Sequence, residues 1–84
     1  MNSQLITVII TLQQRNKIYN IEVDPSTKVQ ELIDEFREML KPLGTEKLVL
    51  WYNNNPLRLE KTFEEQGIRK GSTMNLFIET QGGL

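Results

Sequence analysis

Residues 5–12 read LITVIITL, a β-branched run with period-two alternation. Ile6, Val8, Ile10 and Leu12 fall on one face, and Leu5, Thr7, Ile9 and Thr11 on the other. The first set is uniformly apolar, which predicts a strand with that face in the core. Residues 13–17 form a polar turn in which Asn16 is the residue suited to positive φ. Residues 18–23, IYNIEV, alternate again, with Tyr19, Ile21 and Val23 set against Asn20 and Glu22, and complete a hairpin. Asp24-Pro25-Ser26 ends it, because Pro25 has no N–H to give to a ladder.

The period then changes. Val29, Leu32, Ile33, Phe36, Met39, Leu40 and Leu43 recur at helical spacing, opposite Gln30, Glu31, Asp34, Glu35, Arg37, Glu38 and Lys41. This predicts one amphipathic helix, opened by Thr27 with Gln30 as a capping box and stopped near residue 40 or 41 by Pro42 and Gly44. A third strand over residues 47–52 leads into an Asn53-Asn54-Asn55-Pro56 turn and a short fourth strand over 57–59. A single helical turn over 62–66 turns Phe63 inward, Gly67 and Gly71 bracket a tight connection, and a last strand over 73–79 points Met74, Leu76 and Ile78 inward. Residues 1–4 are expected to fray and residues 80–84 to form a flexible tail, leaving one domain over 5–79. The order β-β-α-β-β-β predicts an α+β fold, a mixed sheet with one helix packed on one face. The two most apolar strands, first and last, belong in its middle.

Composition narrows the chemistry. A chain of 84 residues fits one domain. Ten basic and eleven acidic side chains nearly cancel, which argues against a nucleic-acid partner held by a broad basic surface. The absence of Cys and His removes disulfides, thiolate and imidazole metal sites, Cys nucleophiles and His acid–base catalysis. No metal, no cofactor and no enzymatic activity are therefore expected. At 38% hydrophobic the chain suits a core and not a membrane span. Met1-Asn-Ser-Gln runs into the first strand without a signal-peptide pattern, so the expected compartment is the cell interior.

The element order, the Val23-Asp24-Pro25-Ser26 junction into the helix, and the apolar helix positions Val29, Leu32 and Phe36 resemble ubiquitin and its β-grasp relatives. Leu48-Val49-Leu50, Thr62-Phe63 and Gln66-Gly67-Ile68 continue the likeness. From Ser72 to Gly83 it is gapless, and it ends in Gly82-Gly83 followed by Leu84. Departures are equally specific. Asn75 stands where ubiquitin has an exposed histidine, and Phe77 where it has an exposed valine. Glu79 and Gln81 stand where it has two arginines recognised by its activating enzyme, and Ile33 where it has a helix lysine. The tail from Glu79 to Gly83 is more similar to that of the SUMO modifiers.

The resemblance implies a ubiquitin-like modifier. Removal of Leu84 would expose the Gly83 carboxylate for adenylation, transfer to a thiol and conjugation to a target amine. Gly82 and Gly83 are suited to a narrow enzyme channel. Implied partners are a processing protease, activating and conjugating enzymes and target proteins, acting on a monomer in the cytoplasm or nucleus. Strand parity turns Val49, Trp51, Asn75 and Phe77 outward, and the β-grasp order makes their strands neighbours, which marks a partner-binding patch. A blander reading has Trp51 and Tyr52 covering the core edge under the Asn-rich loop. Lys17 and Lys70 fall where ubiquitin carries chain-forming lysines, although a surface lysine is ordinarily a solvated charge. The alternatives are a non-conjugated β-grasp adaptor and a sulfur carrier; Leu84 beyond the Gly pair argues against the carrier.

Overall fold

The structure, a computed structural model, describes residues 4–80. The frayed start and flexible tail expected from the sequence lie outside the described residues, except at Gln4 and Thr80. Strands β1 (Ile6–Leu12) and β2 (Lys17–Val23) form an antiparallel hairpin, joined by a short 3-10 turn over Gln13–Arg15. Asn16 closes that turn at φ 55°, the left-handed conformation that its short polar side chain tolerates. Helix α1 (Val29–Leu40) crosses to β3 (Glu46–Tyr52), which pairs with the two-residue β4 (Asn55–Pro56). A second 3-10 turn, Glu64–Gln66, precedes β5 (Thr73–Thr80). The sheet order is β2-β1-β5-β3-β4. The first and last strands are thus central and parallel, Ile9–Thr11 against Thr73–Asn75.

The inner face of the sheet presents Val8, Ile10, Leu12, Leu48, Leu50, Met74 and Leu76, all buried. Helix α1 covers them with Val29, Leu32, Ile33 and Phe36. Phe36 meets Tyr19 edge to face at 5.3 Å between ring centres. Phe63 and Ile68 close the core from the loop before β5. The helical stripe is buried only in its first two and a half turns. Met39 is 53% exposed and Leu43 69%, while Leu40 is partly covered. Met39 sits in the last turn, and Leu43 lies beyond the left-handed Lys41 that ends α1, so Leu43 no longer shares the buried helix face.

Three local expectations give way to other solutions. Thr27 does not cap α1: its hydroxyl donates to the Asp24 carbonyl at 2.7 Å, and the cap position is Lys28, with no side-chain bond. Backbone carbonyls of the 57–63 loop do that work instead. Val29 N–H donates to Lys61 O at 3.0 Å and Gln30 N–H to Leu59 O at 3.1 Å, satisfying donors a helix start leaves open. Gln30 reaches forward to Asp34 rather than back. At the far end Pro42 does stop the helix, but Lys41 and not Gly44 takes the left-handed cap, at φ 49°.

The fourth strand is Asn55–Pro56 rather than 57–59. Asn53 and Asn54, at φ 53° and 65°, make a two-residue hairpin turn that starts the pairing at once. Leu57 N–H still reaches Leu50 O, and Leu57 and Leu59 pack on the core. β5 extends through Thr80, which pairs with Glu46, so the strand runs one residue into the segment expected to be tail.

A capping box does exist, at the second 3-10 turn. Glu65 N–H donates to Thr62 Oγ1 at 3.1 Å, and Thr62 N–H donates to the Glu65 carboxylate at 2.9 Å. The Thr62 backbone bond, then the Thr62 side-chain bond, hold the Glu65 carboxyl below its ordinary value.

Two outcomes test this account. Phe36→Ala is expected to cost about 3–5 kcal/mol by chemical denaturation, as a large cavity at the centre of the core would; a loss under about 1 kcal/mol would contradict the helix register. Because the folded-state pKa of Glu65 is lowered, its stabilising effect is complete above the unfolded carboxylate pKa and fades as pH falls through the folded value. Glu65→Gln is therefore expected to flatten the acid limb of stability against pH, measured by denaturation midpoints across that range.

Candidate functional site

The sheet has one face under the helix and one without a covering element among the described residues. On the open face the register aligns side chains from four strands. Thr11 of β1 pairs with Asn75 of β5, Asn75 with Trp51 of β3, and Trp51 with Pro56 of β4. One step along, Phe77 pairs with Val49. The four residues singled out by parity are thus brought together, because β3 and β5 are adjacent and antiparallel with Val49 and Trp51 opposite Phe77 and Asn75.

Trp51 and Phe77 sit diagonally and touch edge to face, with ring centres 6.3 Å apart and planes at 89°. Diagonal cross-strand neighbours are within reach of aromatic side chains, and this geometry sets a ring edge against a ring face. Both are half-buried, as is Val49, while Asn75 is exposed. Beside the pair lies a hollow of about 290 Å³ lined by Trp51, Asn54, Asn75 and Phe77. The Trp51 indole N–H is buried without a hydrogen-bond partner, a donor whose burial is costly. Tyr52, by contrast, packs on the core. The two adjacent aromatics therefore serve opposite faces, and only Tyr52 follows the core-edge reading.

Alternation alone did not identify Thr11 and Asn54. The Thr11 hydroxyl donates to Asn75 Oδ1 and so orients the amide at the centre of the patch. The parallel register that places Thr11 there has no local sequence signal. Asn54 enters because the Asn53-Asn54 turn folds back beside Trp51. Ile18, 70% exposed, extends the row past Thr11 onto β2.

Lys17 and Lys70 are both exposed, one opening β2 and the other preceding the Gly71 turn. Ile33 is buried where the resemblance has a lysine. A second hollow, about 200 Å³, lies between the end of β2 and the start of α1, with Glu22, Glu31 and Glu35 at its lining. Among the described residues no group of carboxylates is arranged to hold a metal ion, and no helix is long and apolar enough to cross a membrane. Gly82, Gly83 and Leu84 lie outside the described residues.

The family model described as ubiquitin-2 like Rad60 SUMO-like matches residues 6–78. No curated protein matches the sequence. Among solved structures, a computationally designed protein based on the template of human erythrocytic ubiquitin is 34% identical, with a TM-score of 0.77 over 94% of this chain and 98% of that one. The ubiquitin of Caldiarchaeum subterraneum is 24% identical, with a TM-score of 0.78 over 95% and 100%. The N-terminal ubiquitin-like domain of the 4931431F19Rik protein is 20% identical, with a TM-score of 0.79 over 99% and 83%. Ubiquitin-like domains are in general protein-binding and non-enzymatic modules. With the family model spanning nearly the whole fold, the chain belongs to the ubiquitin-2 like, Rad60 SUMO-like family and is a ubiquitin-like β-grasp protein.

Proposed function

We propose that this protein is a modifier, conjugated through the carboxylate of Gly83 to amines of target proteins and recognised non-covalently through the Trp51–Phe77 face. The observation that carries the reading is the position of the glycine pair. β5 is held along β3 as far as Thr80, and the sequence continues directly from that strand as Gln81-Gly82-Gly83. Two residues without side chains thus follow the last paired residue with only Gln81 between in sequence. Glycine lets a backbone pass where any Cβ would collide.

The chemistry belongs to the partners. A protease hydrolyses the Gly83–Leu84 bond and frees the carboxylate. An activating enzyme joins that carboxylate to the α-phosphate of ATP with loss of pyrophosphate. An enzyme thiolate then displaces AMP to form a thioester, and a target lysine amine displaces the thiolate to form an isopeptide. The chain itself has no Cys or His for any of these steps and is their substrate. Glu79 and Gln81, in place of the arginines of ubiquitin, favour a dedicated activating enzyme over that of ubiquitin. Adenylation needs ATP and the carrier thiols must stay reduced, which suits the cytoplasm or nucleus.

The exposed face supplies recognition. Its half-buried aromatic pair and the exposed Asn75 amide offer an anchor with apolar area and a directional polar group, the makeup of an interface hot spot.

Two experiments separate the parts. Incubated with ATP and an extract of the native cell, the protein is expected to form a thiol-sensitive adduct, and Gly83→Ala is expected to form none at an unchanged Tm. Equal conjugation of the Ala variant, or no adduct from a variant ending at Gly83, would reject conjugation and favour a non-covalent adaptor. Phe77→Ala is expected to weaken capture of a partner recovered by the wild type by about 1–2 kcal/mol, again with little change in Tm. A large loss of Tm with binding intact would make Phe77 a core residue.

A further inference from the structure

β1 and β5 separate before β5 ends. Their parallel pairing stops at Thr11 and Asn75, and β1 itself stops at Leu12, where the chain turns away through Gln13–Arg15. β5 runs on for five residues with β3 on one side. On its other side the backbone of Ile78 would face solvent, an open edge of the kind sheets ordinarily cover. The Gln14 side chain fills it. Ile78 N–H donates to Gln14 Oε1 at 2.7 Å, and Gln14 Nε2 donates to Ile78 O at 2.9 Å. One carboxamide thus takes both backbone groups of one strand residue, as a neighbouring strand would. The fold uses the same device once more, where Gln66 binds N–H and C=O of Arg58 at 2.7 and 2.9 Å, but there it ties a loop inside the domain. At Gln14 it ties the last strand just before the tail.

We infer that Gln14 is a positioning residue for conjugation: by clasping Ile78 it fixes the direction in which the chain leaves the domain and the point from which the Gly82-Gly83 segment is presented. The inference rests on the conjugation reading. Thr80 shares the backbone orientation of Ile78, two residues on, so Gln14 also sets the register for a partner that pairs with the tail. Ile78 is taken, and Thr80 is the first residue on that side past the clasp. From Ile78 to Gly83 is five peptide steps, a reach of roughly 17 Å when extended. With the clasp intact that reach starts from a strand held on both sides. Without it, two-sided support ends near Asn75, and the end of β5 pivots on its bonds to β3 alone. An enzyme channel that must receive the tail extended then meets a wider spread of orientations, and association slows before the chemistry does.

Gln14 is exposed, so its substitution leaves the core untouched. The test uses the full chain with Gln14→Met, which keeps the length and loses both hydrogen-bonding functions, and Gln14→Glu, which keeps the acceptor for Ile78 N–H and loses the donor. In Gln14→Met, amide exchange at Ile78 is expected to speed up by about tenfold while Met74 and Leu76 stay at wild-type protection, with an unchanged Tm. ATP-dependent thioester formation in native extract is expected to show a KM raised several-fold at nearly constant kcat, and Gln14→Glu is expected to recover part of both losses. Wild-type exchange at Ile78 in Gln14→Met would overturn the clasp. Faster exchange with wild-type thioester kinetics would overturn the positioning role. An unsubstituted protein that forms no thioester would instead reject the conjugation reading, a failure visible without any Gln14 variant.

Discussion

The parallel pairing of Ile9–Thr11 with Thr73–Asn75 holds the whole arrangement together. It joins segments more than sixty residues apart, and a parallel pair cannot be closed by a short turn, so the intervening chain must cross over the sheet. That crossover carries α1, whose apolar face lands on the strands it connects. The bonds that flank the pairing, Gly71 N–H to Thr7 O at 2.7 Å and Ile9 N–H to Ser72 O at 2.9 Å, carry it one turn earlier along β1. Folding must close this long loop before the sheet centre exists, and the entropic cost of closure is offset by burying Val8, Ile10, Met74 and Leu76 together. The same pairing sets Thr11 beside Asn75 and so builds the centre of the outer patch. Core and outer face are two sides of one register.

The loop between β4 and β5 has little regular structure, yet it is tied at almost every turn. It lends carbonyls to the start of α1 and takes bonds back, Phe63 N–H to Thr27 O and Glu64 N–H to Pro25 O. Phe63 anchors it from below, the Thr62–Glu65 box closes its 3-10 turn, and Gln66 fastens Arg58. This mutual staple explains why α1 needs no side-chain cap. Donors satisfied by a neighbouring segment leave Thr27 free to complete the Asp24 turn, where the Ser26 hydroxyl and N–H also bind the Asp24 carboxylate at 2.7 and 2.9 Å.

What was legible in the sequence follows the range of the interaction. Alternation on β1, β2, β3 and β5 and the helical period of α1 are local, and they mark the core residues Phe36, Leu48 and Leu76 and the outward parity of Trp51 and Phe77. At the helix start Thr27 and Gln30 have the spacing of a capping box, but carbonyls about thirty residues away take the same N–H groups, a contact local spacing does not carry. The fourth strand was displaced because Leu57 and Leu59 look like a strand, whereas the two left-handed asparagines begin pairing at Asn55. Met39 and Leu43 follow the period but not the burial, since periodicity carries no record of where the helix ends: the left-handed Lys41 breaks it before Leu43. The resemblance supplied the strand order, and with it the adjacency of β3 and β5; the Thr11–Asn75 and Gln14–Ile78 contacts needed the coordinates.

Gln14 and Phe77 bear on the same strand end from different directions. Phe77 lies between Leu76 and Ile78, its side chain on the outer face and its backbone directed to β3. Ile78 turns its side chain to the core and its backbone to Gln14. Within two residues β5 therefore turns one face outward to the Trp51–Phe77 patch, one to the core, one edge to β3 and the other edge to a single glutamine. Three of those four commitments rest on many contacts and tolerate fluctuation in any one. The fourth rests on one exposed carboxamide, whose two hydrogen bonds contribute modestly to global stability but directly restrain the strand they hold. On the positioning role we infer for Gln14, a strand end supported in this way would stay folded when the clasp opens and yet change direction, which would link a surface glutamine in the first turn to the segment that carries Gly82 and Gly83.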